Sequence, residues 1–375
     1  MIREKERNYG VDLLRLVAMF MIVILHVSGQ GGVLEASTER GEYAVNWVLE
    51  AFAFCAVNCY AMISGYVSFS TEEKPHRYAR YIELWLQVVF WGVVIGMVFK
   101  LLKPDEIALR TVMKALLPVT TKRYWYFTAY TAVFFLAPWL NRLARVCDKR
   151  SLGGLVLTGF VLFCVIEPVA VAFNGGFAMN GGYGFAWLAY LYMVGAYFRK
   201  SNAENRFSAV TLLLGALLMG TVSWAWRMGL FMLQDGTSLA VFLKKISISY
   251  MFPTVVGMAM CLVLLFSKLE LKQKTKKLVA FLSPAAFGVY LIHTNAYMYH
   301  IWLKNRFTFI CDFKLACQPL AVIGVSLAIF AACLMIEKLR IALFRLLGVR
   351  KFADRLECGI RNKLSFNGKH YSQRS

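Results

Sequence analysis

VDLLRLVAMFMIVILHV, residues 11–27, is an almost unbroken apolar run, close in length to what crosses a hydrocarbon core of about 30 Å. Three ionisable residues interrupt it: Asp12, Arg15 and His26. Each such group costs at least about 2.5–3.5 kcal/mol to place in a span, so each requires a partner or a task. Arg15 and His26 are eleven residues apart. On a helix that spacing returns both to one face, separated along the axis by about 16 Å. Asp12 lies one turn from Arg15 and is placed to pair with it. The opposite face is Leu, Val, Ile and Met, so one helix carries a polar stripe over most of its length.

Working outward, similar apolar runs recur along the 375 residues. They predict ten spans, near 11–28, 44–69, 79–102, 124–141, 152–174, 183–199, 208–233, 247–267, 278–303 and 319–347. Hydrophobic residues make up 59% of the chain and charged residues 17%, against roughly half and a quarter in a soluble domain. The expected fold is therefore an all-α polytopic bundle of about ten transmembrane helices. No second domain fits between the spans; residues 1–350 form the membrane domain and 351–375 a basic cytoplasmic tail, helical and then disordered. No small-residue cleavage site follows the first run, which reads as an uncleaved span.

The net charge of +21 would suggest nucleic acid in a soluble protein. Here it follows the topology. With the N-terminus inside, the inner segments carry 28 Lys and Arg and the outer segments 11. That bias puts both termini in the cytoplasm and excludes a nucleic-acid partner. The outer segment 103–123 breaks the pattern, and its EIALRTVMKALL stretch has the period of an interfacial amphipathic helix. The nine Cys show no CxxC pair and no ligand spacing with His, so they read as small buried residues and no metal site is expected.

The Arg15/His26 spacing, preceded by Asp-Leu-Leu, resembles the first span of the membrane-bound acyltransferase-3 family. MISGYVSF (62–69) is similar to that family's Ser-Gly-aromatic element. RYWYFTAYTAVFFLAPWLNRL (123–143) resembles its aromatic fourth span, and SPAAFGVYLIHTNAY (283–297) its late Phe-Gly-x-Tyr-Leu-Ile-His element. One element departs: where many members have adjacent basic residues entering the third span, HRYARYIELW sets Arg77 and Arg80 three apart.

The resemblance implies a bacterial plasma-membrane O-acyltransferase. It would move an acetyl group from cytoplasmic acetyl-CoA, a co-substrate, to a hydroxyl of a cell-surface glycan or its lipid-linked precursor. Arg15, Arg77 and Arg80 are then the expected phosphate partners of coenzyme A. His26 is the expected general base or acyl-carrying nucleophile. A working imidazole needs an orienting partner, and Asp12 is too far down the helix, so Glu50 or Glu167 is expected in that part. Trp125 and Tyr126, with Arg227 and His293, are expected to contact the acceptor. Ser64 lacks a Gly-x-Ser-x-Gly elbow and reads as a packing residue. Against the enzyme stand a transporter or flippase of a lipid-linked sugar, with the polar stripe lining its path, and a membrane scaffold. Absent repeats count against the transporter.

Overall fold

The computed structural model describes residues 7–73, 75–233, 237–246 and 248–372, with side chains described through residue 361. The first six residues, residue 247 at the start of the eighth expected span and the last three of the basic tail lie outside the described residues. Among the described residues every regular element is a helix. The main ones are α1 Tyr9–Ser28, α2 Arg40–Ser68, α3 Ala79–Leu102, α4 Trp125–Val146, α5 Lys149–Ala172, α6 Phe185–Ser201, α7 Ala209–Met232, α8 Pro253–Ser267, α9 Gln273–His293, α10 Gln318–Leu346 and α11 Val349–Ser372.

Among the described residues seven helices, α1, α2, α3, α5, α7, α9 and α10, are long and apolar enough to cross a membrane, and α8 is apolar but shorter. The protein is thus an all-helical, multi-pass membrane protein. The fourth and sixth expected spans coincide with α4 and α6, which fall outside those seven. Asn141, Arg142 and Arg145 near the end of α4, and Arg199 and Lys200 at the end of α6, shorten their apolar parts. The expected interfacial helix is short, Leu109–Met113. Val112 and Ala115 fold back onto Gly96 and Gly92 of α3, leaving Leu109, Met113 and Leu117 outward.

The first helix sits in the middle of the bundle, packed on α2, α8, α9 and α10. Its apolar face is buried in protein, with Leu14, Ala18, Val23 and Val27 fully inaccessible. Helices α2 and α6 pack most intimately. A Cβ on Gly65 would lie 1.8 Å from the Tyr192 carbonyl oxygen, and one on Gly195 1.9 Å from that of Met62. Two facing glycines bring the backbones together where lipid provides no hydrophobic drive. The neighbouring Ser64 hydroxyl donates to Tyr60 O at 3.0 Å on its own helix, in keeping with a packing residue.

Glu337 of α10 is fully buried and ties α10 to α3. Its carboxylate accepts from Gln87 Nε2 (3.0 Å) and Trp91 Nε1 (2.7 Å) of α3, and from Arg340 Nε (3.0 Å). Gly288 of α9 leaves the room: a Cβ there would lie 2.2 Å from the Glu337 side chain. The tail helix α11 turns back onto the start of α3 through Arg77–Asp354 (3.0 Å) and Ala79 N to Glu357 (2.9 Å).

Removing a buried charge partner leaves the remaining groups uncompensated, at about 3–5 kcal/mol. Glu337→Ala is therefore expected to lower thermal stability in detergent sharply and Glu337→Gln less, with a melting curve unchanged by Glu337→Ala as the contrary result. Gly65→Val is expected to abolish folded yield, and Ser64→Ala to leave it unaltered.

Candidate functional site

The polar stripe on α1 is built from both ends. At its start Asp12 is buried and accepts from two arginines, Arg7 Nε and Arg15 Nη1, each at 2.5 Å. The Asp12–Arg15 pair follows the helical spacing; Arg7, outside the helix, completes it. Arg7 also donates to Ser283 Oγ of α9 at 3.0 Å. A carboxylate shared between two guanidiniums fixes their planes and leaves the remaining N–H donors of Arg15 open to a ligand. These residues line a cavity of about 890 Å³. Its basic lining is Arg7, Arg15, Arg199, Lys268 and Lys276, against Asp12, Glu204 and Glu270.

Arg77 and Arg80 do not line this cavity. Arg77 is committed to Asp354, and Arg80 faces a separate space of about 470 Å³ with Glu83, Arg340, Arg345 and Arg350. Tyr130 is within electrostatic reach of both Arg15 and Arg80. The basic residues beside Arg15 come instead from the ends of α6, α8 and α9. In the sequence they look like any positive-inside anchor.

Further along α1 lies a separate aromatic chamber of about 30 Å³, lined by the turns of the helix that follow Arg15 up to His26. Met19, Ile22 and His26 of α1 line it with Tyr60, Trp125, Tyr126, Tyr250 and Tyr290. Trp125 and Tyr126 thus line the interior. Trp125 stacks on Tyr250 (5.8 Å, 21°) and leans on Tyr183 (4.7 Å). The Tyr60 and Tyr126 hydroxyls are buried without a partner among the described residues.

His26 closes the chamber, and its orienting partner is neither expected glutamate. His26 Nδ1 lies 2.9 Å from Nε2 of His293. His293 Nδ1 in turn lies 2.6 Å from the Val289 carbonyl oxygen. A carbonyl only accepts, so His293 Nδ1 carries the hydrogen. In the neutral ring its Nε2 is then an acceptor, so His26 Nδ1 must donate. The proton of His26 is placed on Nδ1, and its Nε2 keeps a free lone pair. Base and orienting group in hydrogen-bond contact are the arrangement that prepares an imidazole for proton abstraction or attack.

Several contacts hold the pair still. Tyr124 donates to Leu291 O (3.0 Å) and accepts from Asn295 Nδ2 (2.9 Å), pinning the end of α9 to α4. The chain then runs into one π-helical turn, Met298–Leu303, a form common at functional sites. Tyr299 meets His26 edge to face at 5.3 Å, and Gln30 donates to Tyr299 O at 3.2 Å.

Glu167 is placed elsewhere. Its carboxylate accepts from the amides of Phe177 (2.5 Å) and Met179 (3.1 Å), so it organises the loop after α5. Glu50 lies nearer, within electrostatic reach of Tyr250 and Tyr299, but makes no bond to His26. It faces Arg227, whose guanidinium carbon sits 4.0 Å from the Trp47 ring centroid. Glu50 Oε2, Arg227 Nε and Trp47 Nε1 are buried with no hydrogen-bond partner among the described residues. Buried polar atoms left open in this way call for a partner such as water, an ion or a ligand group. Among the described residues no cluster of metal-ligating side chains occurs.

A family model described as an acyltransferase domain matches residues 8–337, which includes every residue of the stripe, chamber and histidine pair. No curated protein and no solved structure matches the chain.

The tautomer assignment is open to direct measurement. With ¹⁵N-histidine labelling in nanodiscs, both His26 and His293 are expected as Nδ1–H tautomers near pH 7.5. A signal showing His26 protonated on Nε2 would overturn the relay.

Proposed function

The chain belongs to the acyltransferase-3 family, and on that premise we propose that it is a membrane O-acyltransferase working from cytoplasmic acetyl-CoA. The acceptor is a hydroxyl of a bacterial cell-surface polysaccharide or of its lipid-linked precursor. The observation that carries this reading is the order along α1: a basic cavity at one end, an aromatic chamber further along, and in that chamber's wall an imidazole with a free Nε2. Both termini are assigned to the cytoplasm of a cell bounded by the plasma membrane, which opens the basic cavity to the compartment where coenzyme A is made.

Each part has a task in such a reaction. The anionic end of coenzyme A pairs with Arg15 and its basic neighbours, with Asp12 holding Arg15 in place. The pantetheine arm passes between Tyr60 and Tyr126, bringing the thioester carbonyl to His26. As base, His26 Nε2 takes the acceptor's hydroxyl proton while the oxygen attacks the carbonyl; the C–O bond forms, the C–S bond breaks, and the proton leaves with the thiolate as free thiol. As nucleophile, the same atom attacks the carbonyl and the C–S bond breaks to release thiolate; the acceptor oxygen then forms the C–O bond as the C–N bond breaks, and its proton passes to the thiolate as free thiol. In either route His293 stabilises the charge on the His26 ring through the Nδ1–H bond. The sugar is assigned to the neighbourhood of the Trp47 ring, where Glu50 and Arg227 offer one acceptor and one donor. Stacking on this ring suits the apolar face of a pyranose.

The test is release of free coenzyme A by purified protein in liposomes. Relative to wild type, His26→Ala is expected to lose about 10²–10⁴-fold in turnover, the worth of a positioned base. Arg15→Ala, which removes charge-assisted bonds of about 1.5–3 kcal/mol, is expected to raise KM for acetyl-CoA by roughly ten- to a hundredfold. Folded wild type that neither binds nor consumes acetyl-CoA would refute the reading.

A further inference from the structure

His26 belongs to two spaces, and the second has no part in the reaction as described. Beyond the histidine pair lies a groove of about 320 Å³, with His26 and His293 in its wall. Apart from the two imidazoles its lining is apolar side chains, the Trp302 indole and the Cys333 thiol. The room is made on α10, where Ala328 and Ala332 present only methyl groups one turn apart. Trp302 and Ile336 at its edge are 38% and 43% exposed, so the groove opens sideways to lipid. A bundle interior is normally filled to the density of an organic crystal, and a space this large beside a reacting group therefore stands out.

We propose that this groove receives the hydrocarbon chain of acyl-CoA thioesters longer than acetyl. The inference rests on the acyltransferase reading above and extends it to the donor. The chamber and the groove share a single residue, His26. A thioester that arrives through the chamber presents its carbonyl carbon to His26 Nε2, and whatever is attached to that carbon continues past the ring. The chemistry is that of acetyl transfer: the thioester C–S bond breaks, an ester C–O bond forms, and the hydroxyl proton leaves on the thiol. The apolar lining is what a methylene chain requires, and it offers no partners to a sugar. The side opening to lipid lets a chain extend beyond the groove, so no sharp upper length is imposed. A lipid tail of an acceptor, or a bilayer lipid acting as filler, are the other occupants such a surface admits.

The experiment is a donor series of acetyl-, butyryl- and octanoyl-CoA with wild-type protein in nanodiscs, reading free thiol. Octanoyl-CoA is expected to be used with kcat/KM at least equal to that of acetyl-CoA. Ala332→Phe is expected to cut octanoyl turnover tenfold or more while acetyl turnover stays within twofold. Because a bulky variant can fail to fold, wild type is also irradiated with octanoyl-CoA carrying a diazirine at its chain end. Labelling on α10 around residues 328–336 supports the proposal. Labelling elsewhere overturns it, as does labelling of the groove by a diazirine phospholipid that octanoyl-CoA does not displace. A wild type that uses acetyl-CoA but discriminates a hundredfold against octanoyl-CoA overturns it and leaves acetyl transfer standing. A wild type that consumes no thioester removes both.

Discussion

A charged or titratable side chain away from water must find a partner, and that requirement orders this molecule. Several polar assemblies lie within an apolar bundle. Asp12 is clamped between Arg7 and Arg15, and Glu337 lies among Gln87, Trp91 and Arg340. His26 is paired with His293, and Glu167 with two loop amides. The Glu337 assembly and the histidine pair tie together segments about 250 residues apart in sequence, and Arg7 reaches Ser283 in the same way. The packing of α1 in the middle of the bundle follows from this, because a helix bearing Asp12, Arg15 and His26 cannot face lipid on that side.

The same requirement separates structural groups from working ones. Glu167 and Glu337 have their acceptor capacity used by the protein itself, so they hold shape. The His26 Nε2 lone pair, the Glu50 and Arg227 atoms without partners and the free donors of Arg15 are among the groups whose capacity the described residues leave open. Buried polar groups left open are costly, so each calls for a partner that completes it. The aromatic rings between Arg15 and His26 are apolar enough to exclude water from the reacting atoms.

The histidine pair also shows how backbone chemistry reaches a reacting atom. One carbonyl, Val289 O, fixes the tautomer of His293, which fixes that of His26, which leaves Nε2 free. Tyr124, Asn295 and Gln30 do not touch His26 and act by holding the two segments that carry the relay. An aspartate or glutamate in the place of His293 would bring a full charge into a deeply buried position, whereas a neutral imidazole orients its partner without one.

Periodicity and composition determined the helical, membrane-spanning architecture, because runs of about twenty apolar residues have one stable form in lipid. The one-face stripe of Asp12, Arg15 and His26 was equally legible, since it depends only on the rise and twist of a helix. The family elements around residues 62–69, 123–143 and 283–297 pointed to acyl transfer. Tertiary structure alone decided which distant residues complete the stripe. His293 and not Glu50 or Glu167 orients His26, Arg199, Lys268 and Lys276 and not Arg77 or Arg80 stand beside Arg15, and Ala328 and Ala332 open a groove at the histidines. The physical reason is that a helix fixes the angle and height of each side chain about its own axis. Which face of which neighbour meets it is set by close packing, here by the glycines at 65, 195 and 288, whose missing side chains leave no periodic signal.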